Sequence, residues 1–535
     1  MHVKFILQIL LFIFLSLHSS LSLFAQQPDT LKTIQIVQGQ SLREKTIDSL
    51  TTLETIAGNA IVKQATTTLS ADSIIINKRT NIAEAFGNVK INDADSILTS
   101  AKYLKYLGKE RIAYLKNKVV FTDRKGVLYT EDLEYNLKTG IATYKNGGKI
   151  VNSSTVLTST EGVYYSDTKD VYFRKNVHLI DPKYDIRADS LLYNTKSQVA
   201  TFITLTHIVS KDGIIDTRSG TYNLRTGKAL FLDRTSFKDS THFGISDRMA
   251  SDDSTGIIQM EGRAKLVDSS NKVTMFGNVI FIDRKNSTFL ATQKPVMIFY
   301  KDNDSTYIAA DTLFSGLRKY DTLSKKLVLK TDTIKKAIAV NTTSTDTTVR
   351  YFIAWNHVRV FNDSLQAVSD SLYYSTQDST FKLFREPVLW NAKTQVTGDT
   401  IFLFTEKQKA KRLYVFNNGM IANKANEQMY NQIGGRTING YFKEGNIDYM
   451  RVKGSPAESI SYPQDDDSAY VGMNRSKGDV IDIYFLKKEV NKVKFINDVD
   501  GTMYPIRKIP EDRKRLKGFK WQDARRPKNK LELFE

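Results

Sequence analysis

Apolar and polar residues alternate in short runs along most of this chain. In Ala83 to Ile91, the positions Ala83, Ala85, Gly87, Val89 and Ile91 share one parity, while Glu84, Asn88 and Lys90 take the other. A period of two with one apolar side predicts a half-buried strand. Asp189, Leu191 and Tyr193 likewise fall on one face of a second kind of run. Turn formers separate the runs, as in Asn194-Thr195-Lys196-Ser197 and Asn136-Leu137-Lys138-Thr139-Gly140.

The runs repeat. Ala83-Glu84-Ala85-Phe86-Gly87-Asn88-Val89-Lys90-Ile91 is nearly restated by Val273-Thr274-Met275-Phe276-Gly277-Asn278-Val279-Ile280-Phe281, and more loosely around Asn176-Val177 and His357-Val358. A second phrase, Ala-Asp-Ser-Leu-x-Tyr, is explicit at Ala188 to Tyr193 and as Ser369 to Tyr374. Related forms stand at Ala71-Asp72, Ala94-Asp95, Glu131-Asp132, Glu161-Gly162, Ala310-Asp311 and Gly398-Asp399. The acidic positions Glu131, Glu161 and Asp189 step by 30 and 28, and Asp370 to Asp399 by 29. The apolar positions Val89, Val119, Ile150, Val177 and Ile208 step by 30, 31, 27 and 31. Two strands and two turns fit that period, so the chain is an array of two-strand units. Strands with one apolar face must fold over one another until those faces meet, as a sandwich, jelly roll or solenoid. Gly87 and Gly277 are expected at bulges or tight bends. The pattern degrades near Ser219-Gly220, and a polar loop is expected at Asn341 to Thr348.

Composition narrows the setting. Lys4, the apolar run Phe5 to Leu17 and Ala25 before Gln26-Gln27-Pro28 predict a cleaved signal peptide over 1–25. There is no cysteine, which excludes a lipidated cysteine anchor, disulfides and thiolate metal sites. The net charge of +19 favours polyanions. In an exported protein that means anionic lipid or glycan, not nucleic acid. The C-terminal stretch holds nine Lys or Arg against five Asp or Glu from Glu511 onward and is expected to be a loose basic tail. Asp465-Asp466-Asp467 is expected to be a solvated turn. His178, His207 and His357 lie near the apolar positions of the Gly-Asn-Val phrase without a further ligand at metal spacing, so neither a metal site nor a cofactor is expected. No Gly-x-Ser-x-Gly, His-Glu-x-x-His or phosphate-cradling glycine loop occurs, which argues against an enzyme.

The Ala-Asp-Ser-Leu-x-Tyr phrase followed by the Gly-Asn-Val phrase resembles the OstA/LptA family of lipopolysaccharide-transport proteins, over roughly 60 to 430. The segments Val452-Lys453-Gly454 and Tyr470 to Arg475 look like the longer OstA-like proteins of Bacteroidetes-type bacteria. The resemblance implies an all-β, V-shaped jelly roll (a β-taco or solenoid) whose apolar interior shields acyl chains. It also implies copies joined end to end in the periplasm. A larger relative adds an outer-membrane barrel, for which the stretch after residue 430 is too short. On this basis the chain divides into a signal peptide (1–25), a lead-in (26–56), OstA-like regions over 57–215, 216–340 and 341–433, a C-terminal β region (434–505) and the basic tail (506–535).

An acyl chain of about a dozen carbons in water carries a penalty on the order of 10 kcal/mol, at about 0.8 kcal/mol per methylene. An apolar trough alone therefore suffices for a carrier. Ile74, Val89, Ile91, Val177, Leu179, Leu191, Val279 and Phe281 are the candidate lining. The implied partners are lipopolysaccharide or another anionic glycolipid, and other transport proteins of the family or a second copy joined by strand addition. Outer-membrane contact belongs to the same picture. A glycan-binding β-solenoid or adhesin, and a solenoid lyase or hydrolase, are the rival classes.

Overall fold

The computed structural model describes residues 33–300, 305–320, 347–406, 409–487 and 489–535. The expected signal peptide, the start of the lead-in and most of the Asn341–Thr348 loop lie outside them. Among the described residues the regular elements are antiparallel strands, with four short 3-10 turns near the C-terminus. No helix among the described residues is long and apolar enough to cross a membrane. The chain forms two compact units. Unit 1 runs to Leu179 and includes Asn194–Lys196; unit 2 comprises Ile180–Tyr193 and everything from Ser197. The expected boundary at 215/216 falls inside the strand Gly213–Thr217, and that at 433/434 inside Tyr430–Lys443. The strands after 434 continue the same ladder.

In unit 1 the strands Thr51–Gln64, Thr67–Asn77, Ile82–Asp93, Ile97–Leu107, Ile112–Thr122 and Val127–Asn136 follow one another as a meander. Each bends near its middle. In Ile82–Asp93 the bend is Gly87 (φ 68°) and Asn88 (φ 44°), two left-handed residues set against the single Lys102 of the next strand. Gly58-Asn59 and Asn117-Lys118 repeat this two-residue bulge. Such a bulge bends and twists a strand, so each strand contributes one half to a first wall and the other half to a second. In outgoing strands the buried positions are four apart across the bend, as Ala85 and Val89. In returning strands they are three apart, as Ala71 and Ile74 or Ala101 and Leu104. The inward faces of the walls then meet: Phe121 of the second wall packs edge-on against Tyr135 and Tyr164 of the first, each at 5.4 Å.

The two phrases of the sequence repeat meet at this bend. The Asn88 amide donates to both carboxylate oxygens of Asp72, at 3.1 and 3.0 Å. A Cβ on Gly87 would stand 2.3 Å from Asp72 Oδ2. The same clamp recurs as Asn146 to Asp132 (3.0 Å) and Lys175 to Glu161 (2.6 Å) in unit 1. In unit 2 it recurs as Arg263 to Asp247 (2.8 Å), His357 to Asp311 (2.9 Å), Arg385 to Asp370 (3.3 Å) and Asn418 to Asp399 (3.0 and 3.1 Å).

The nearly identical copy at 273–281 is not equivalent to 83–91. Its strand, Val273–Asp283, runs in the returning direction, and the bulge facing it is Gly262 (φ 71°) and Arg263 (φ 42°) on Ile257–Asp268. Gly277 is not left-handed, and Asn278 sits where the clamp carboxylate sits in other units. The three-residue spacing of a returning strand turns Ile280 and Ile282 inward, so Val279 and Phe281 lie on the opposite face and line no trough. Ala94-Asp95 is likewise no bend. Both residues are left-handed in the hairpin turn between Ile82–Asp93 and Ile97–Leu107. Near Ser219, where the sequence pattern fades, the pairing of Gly220–Asn223 with Val199–Phe202 and Lys228–Phe231 continues unbroken.

The basic tail is not loose. It crosses the second wall of unit 2 as a strap, meeting the strands in reverse order. Leu516 is buried with Met420, Ile460, Tyr462 and Met473, and Leu533 with Val296, Ile298 and Ala309. Glutamines of three strands receive it. Gln432 donates to Lys514 O (2.9 Å) and accepts from the Leu516 amide (2.8 Å). Gln395 does the same with Lys520 O and the Gln522 amide, both at 2.8 Å. Gln366 accepts from Arg526 Nε at 2.9 Å.

The bend geometry separates the two glycines. Gly87→Ala is expected to destabilise by about 1–3 kcal/mol, the cost of a left-handed non-glycine residue, with the steric clash on Asp72 added. Gly277→Ala, whose nearest contact would be an ordinary 3.4 Å, is expected to change stability by less than about 0.5 kcal/mol. Urea unfolding followed by circular dichroism measures both.

Candidate functional site

Opposite the bends, the hairpin turns of the two walls form the lips of each unit. In unit 1 hydrogen bonds lace these lips together. The Tyr106 hydroxyl donates to Gln64 Oε1 (2.6 Å), Tyr135 to Asp93 Oδ2 (2.9 Å) and Tyr164 to Asp123 Oδ2 (2.6 Å). Asn152 Nδ2 extends the series to Thr195 O at 2.9 Å. In each case a strand end of the second wall is tied to the first. The interior behind the lacing is packed. Ile74, Val89, Ile91, Val177 and Leu179 are at most 3% exposed, and the cavity beside Ile91 measures about 20 Å³, room for about one water.

The lacing sets the protonation of its members. Burial first, then the Asp93 carboxylate, pushes the Tyr135 phenol well above its ordinary value; burial and Asp123 do the same to Tyr164. Tyr144, buried inside the unit, is pushed up to about 12 by burial. Burial alone would raise Asp123. The Tyr164 hydroxyl and the Gly126 and Lys125 amides outweigh it and hold the carboxyl below its usual range.

In unit 2 the lacing begins in the same way and then stops. Tyr184 of the second wall and Tyr222 of the first both donate to Asp253 Oδ2, at 2.5 and 3.0 Å, and Arg284 lies 3.4 Å from Asp212. Beside Arg284 a cleft of about 780 Å³ opens between the lips. Its apolar side is lined by Ile214 and by the largely buried Phe237, Ile258, Ile282 and Phe289, the last four each at most 8% exposed. Lys211, Lys238 and Arg350 share the border with Asp212, Asp239, Asp253 and Asp283. Arg350 is half-buried. Its guanidinium lies 5.3 Å from the Phe289 ring centroid and donates to neutral acceptors, Ser315 Oγ at 2.9 Å and Ser287 O at 3.4 Å. Burial lowers its pKa, and the more distant Asp268 charge offsets that in part. A second cavity of about 300 Å³ lies farther along the unit, bordered by Val360, Leu372, Leu383, Leu389 and Leu403.

Of the eight residues expected to line a trough, Leu191 is packed core in unit 2 (0% exposed), five are core in unit 1, and Val279 and Phe281 face away from the interior. None borders either unit 2 cavity. Sequence reasoning missed the lacing and the cleft. The lacing had a signal: Tyr106, Tyr135, Tyr164, Tyr193 and Tyr222 recur at steps of 29. The cleft had none, because Arg350 and Phe289 come together only through pairing. His207 bonds Asp216 (2.6 Å) and His357 belongs to a bend clamp. Asp465 accepts the Asp467 and Ala469 amides in an exposed turn. Among the described residues no three His, Asp or Glu gather as metal ligands would.

A phenol whose pKa is raised by folding stabilises the fold below its unfolded value of about 10, and that contribution is lost as pH climbs toward the folded value. The laced tyrosines are therefore expected to stay protonated past pH ~10 and to ionise together with unfolding of unit 1. Phenolate absorbance and circular dichroism, recorded on one alkaline titration, check this. Gradual ionisation near the ordinary value with the fold intact would show that the lips are not laced in solution.

No curated protein matches the chain. Among solved structures, the chain is similar to LptH from Pseudomonas aeruginosa, described as the LptA homologous periplasmic component of the conserved lipopolysaccharide transport device. Identity is 12%, with 32% of this chain and 80% of that one covered and a TM-score of 0.10. Residues 32–189 match the family described as OstA-like protein. That span includes the described part of unit 1 up to Leu179, with its bend clamps and the tyrosine lacing, and over it the chain is similar to that family.

Proposed function

We propose that this protein is a periplasmic component of lipopolysaccharide transport that holds an anionic glycolipid at the mouth of unit 2. The observation that carries this reading is the cleft in which an apolar surface of Phe237, Ile258, Ile282 and Phe289 adjoins the half-buried Arg350. A guanidinium whose hydrogen-bond acceptors among the described residues are neutral attracts a phosphate or carboxylate. Acyl methylenes gain by leaving water for the ring and aliphatic surface beside it. The OstA-like character of residues 32–189 agrees with this function.

On this account unit 1 is a closed scaffold, and Ile74, Val89, Ile91, Val177 and Leu179 meet lipid only if the lacing parts. Bridging toward the outer membrane would use the sheet edges. Among the described residues, Ser41–Asp48, exposed along its whole length, pairs on one side only, with Thr51–Gln64, and Glu489–Ile496 pairs only with Gly472–Leu486. Their unpaired backbone groups suit end-to-end strand addition.

Photo-crosslinking in lipopolysaccharide-producing cells tests the site. Probes at Ile258 and Phe289 are expected to label lipopolysaccharide strongly, and probes at Val89 and exposed Lys90 only weakly. Labelling at Ile258 and Phe289 no stronger than at Lys90 would refute the cleft. Arg350→Gln is expected to weaken binding of purified lipopolysaccharide by about tenfold or more, since a charged hydrogen bond contributes about 1.5–3 kcal/mol.

A further inference from the structure

We infer that the C-terminal strap is a docking surface for an anionic phospholipid bilayer. The inference does not rest on the cleft. The strap is fastened to the second wall of unit 2 mostly by groups other than its cations. Leu516, Pro527 and Leu533 are buried, and Phe519 and Trp521 pack on Tyr430 at 5.3 and 5.2 Å. Gln432 and Gln395 grip its backbone. Of its basic side chains, Arg526 is fastened to Gln366 and to Ala392 O, and Lys530 lies over the Tyr307 ring.

Arg515, Lys517, Lys520, Arg525 and Lys530 are exposed, Lys530 with its ammonium 5.9 Å from the Tyr307 ring centroid. They carry no ion pair among the described residues, whereas Arg513, Lys514 and Lys528 are paired with Asp512, Glu511 and Asp523. Five uncompensated charges held in a fixed row fit a polyanionic surface. The apolar residues at the end of the row decide which kind. Leu531 is 66% exposed, beside Lys528 and Lys530, while Phe534, 42% exposed, packs its ring edge-on against Phe276 at 5.7 Å. A soluble polyanion has no use for an exposed leucine, whereas a bilayer takes the apolar side chain among its acyl groups while its headgroups meet the cations.

The full mature chain is mixed with vesicles of phosphatidylcholine, with or without a quarter phosphatidylglycerol, and sedimented. Binding is expected only with phosphatidylglycerol and is expected to fall steeply as salt is raised. The double variant Lys517→Glu with Lys520→Glu is expected to lower partitioning at least tenfold. Leu531→Ser is expected to lower it several-fold with the salt dependence unchanged. Both sites are exposed, and thermal unfolding confirms that the variants fold. Equal binding to both vesicle types, or to none, overturns the inference. So does loss of binding in the charge variant with no effect of Leu531→Ser and equal affinity for soluble polyphosphate, which would assign the row to a soluble polyanion. Crosslinking of lipopolysaccharide at Phe289 in the charge variant reports on the cleft separately.

Discussion

The fold depends on one local contact, the carboxylate that clamps a two-residue left-handed bulge at the middle of an outgoing strand. Without the bulge, an eleven- or twelve-residue strand such as Ile82–Asp93 would continue straight and its apolar side would lie along one flat sheet. With Gly87 and Asn88 left-handed, and the Asn88 amide held by Asp72, the strand turns and presents Ala83 and Ala85 to one wall and Val89 and Ile91 to the other. Left-handed backbone at non-glycine residues is costly, and a side-chain amide or cation bound to the facing carboxylate offsets part of that cost. At these clamps the partner varies between asparagine, lysine, arginine and histidine while the acceptor is a carboxylate, and Asn278 takes the carboxylate's place opposite Gly262-Arg263. The acceptor side is therefore the less variable half of the contact.

Once the strands are bent, the lips become the variable part. Each lip carries polar strand ends, and whether a tyrosine of one wall reaches a carboxylate or amide of the other decides whether the roll is sealed. In unit 1 it reaches at Gln64, Asp93 and Asp123. In unit 2 the last such contact among the described residues is at Asp253, and beyond Arg284 a cleft opens onto the edges of the apolar side chains. A continuous apolar face is thus necessary for lipid binding but does not give it, because a laced mouth turns the same face into ordinary core.

Much of this was legible in the chain. Period two gave the strands, and two series at about 30 residues gave the two-strand unit, because each strand pays for its own turn and bend with residues of fixed type. Asp72, Asp370 and Asp399 stood out for the same reason that they clamp. What misled was resemblance without direction. Phe86-Gly87-Asn88-Val89 and Phe276-Gly277-Asn278-Val279 are the same words in strands of opposite sense, and the spacing across the bend is four in one and three in the other. Val279 and Phe281 therefore face away from the interior. The strap was illegible for another reason: the tail's charge suggests looseness, while its attachment rests on Leu516, Leu533 and the backbone carbonyls that Gln432 and Gln395 find.

The central claim is that unit 1 stays sealed while unit 2 admits ligand at its lips. The chain has no cysteine, so spin labels can be placed at will, with one pair at Asp95 and Lys138 across the lips of unit 1 and another at Ser240 and Lys285 across those of unit 2. Pulsed electron–electron distance measurements are then made with and without lipopolysaccharide. The account predicts an unchanged distance distribution for the first pair and a displaced one for the second. Separation of the first pair, or no displacement of the second, would contradict it.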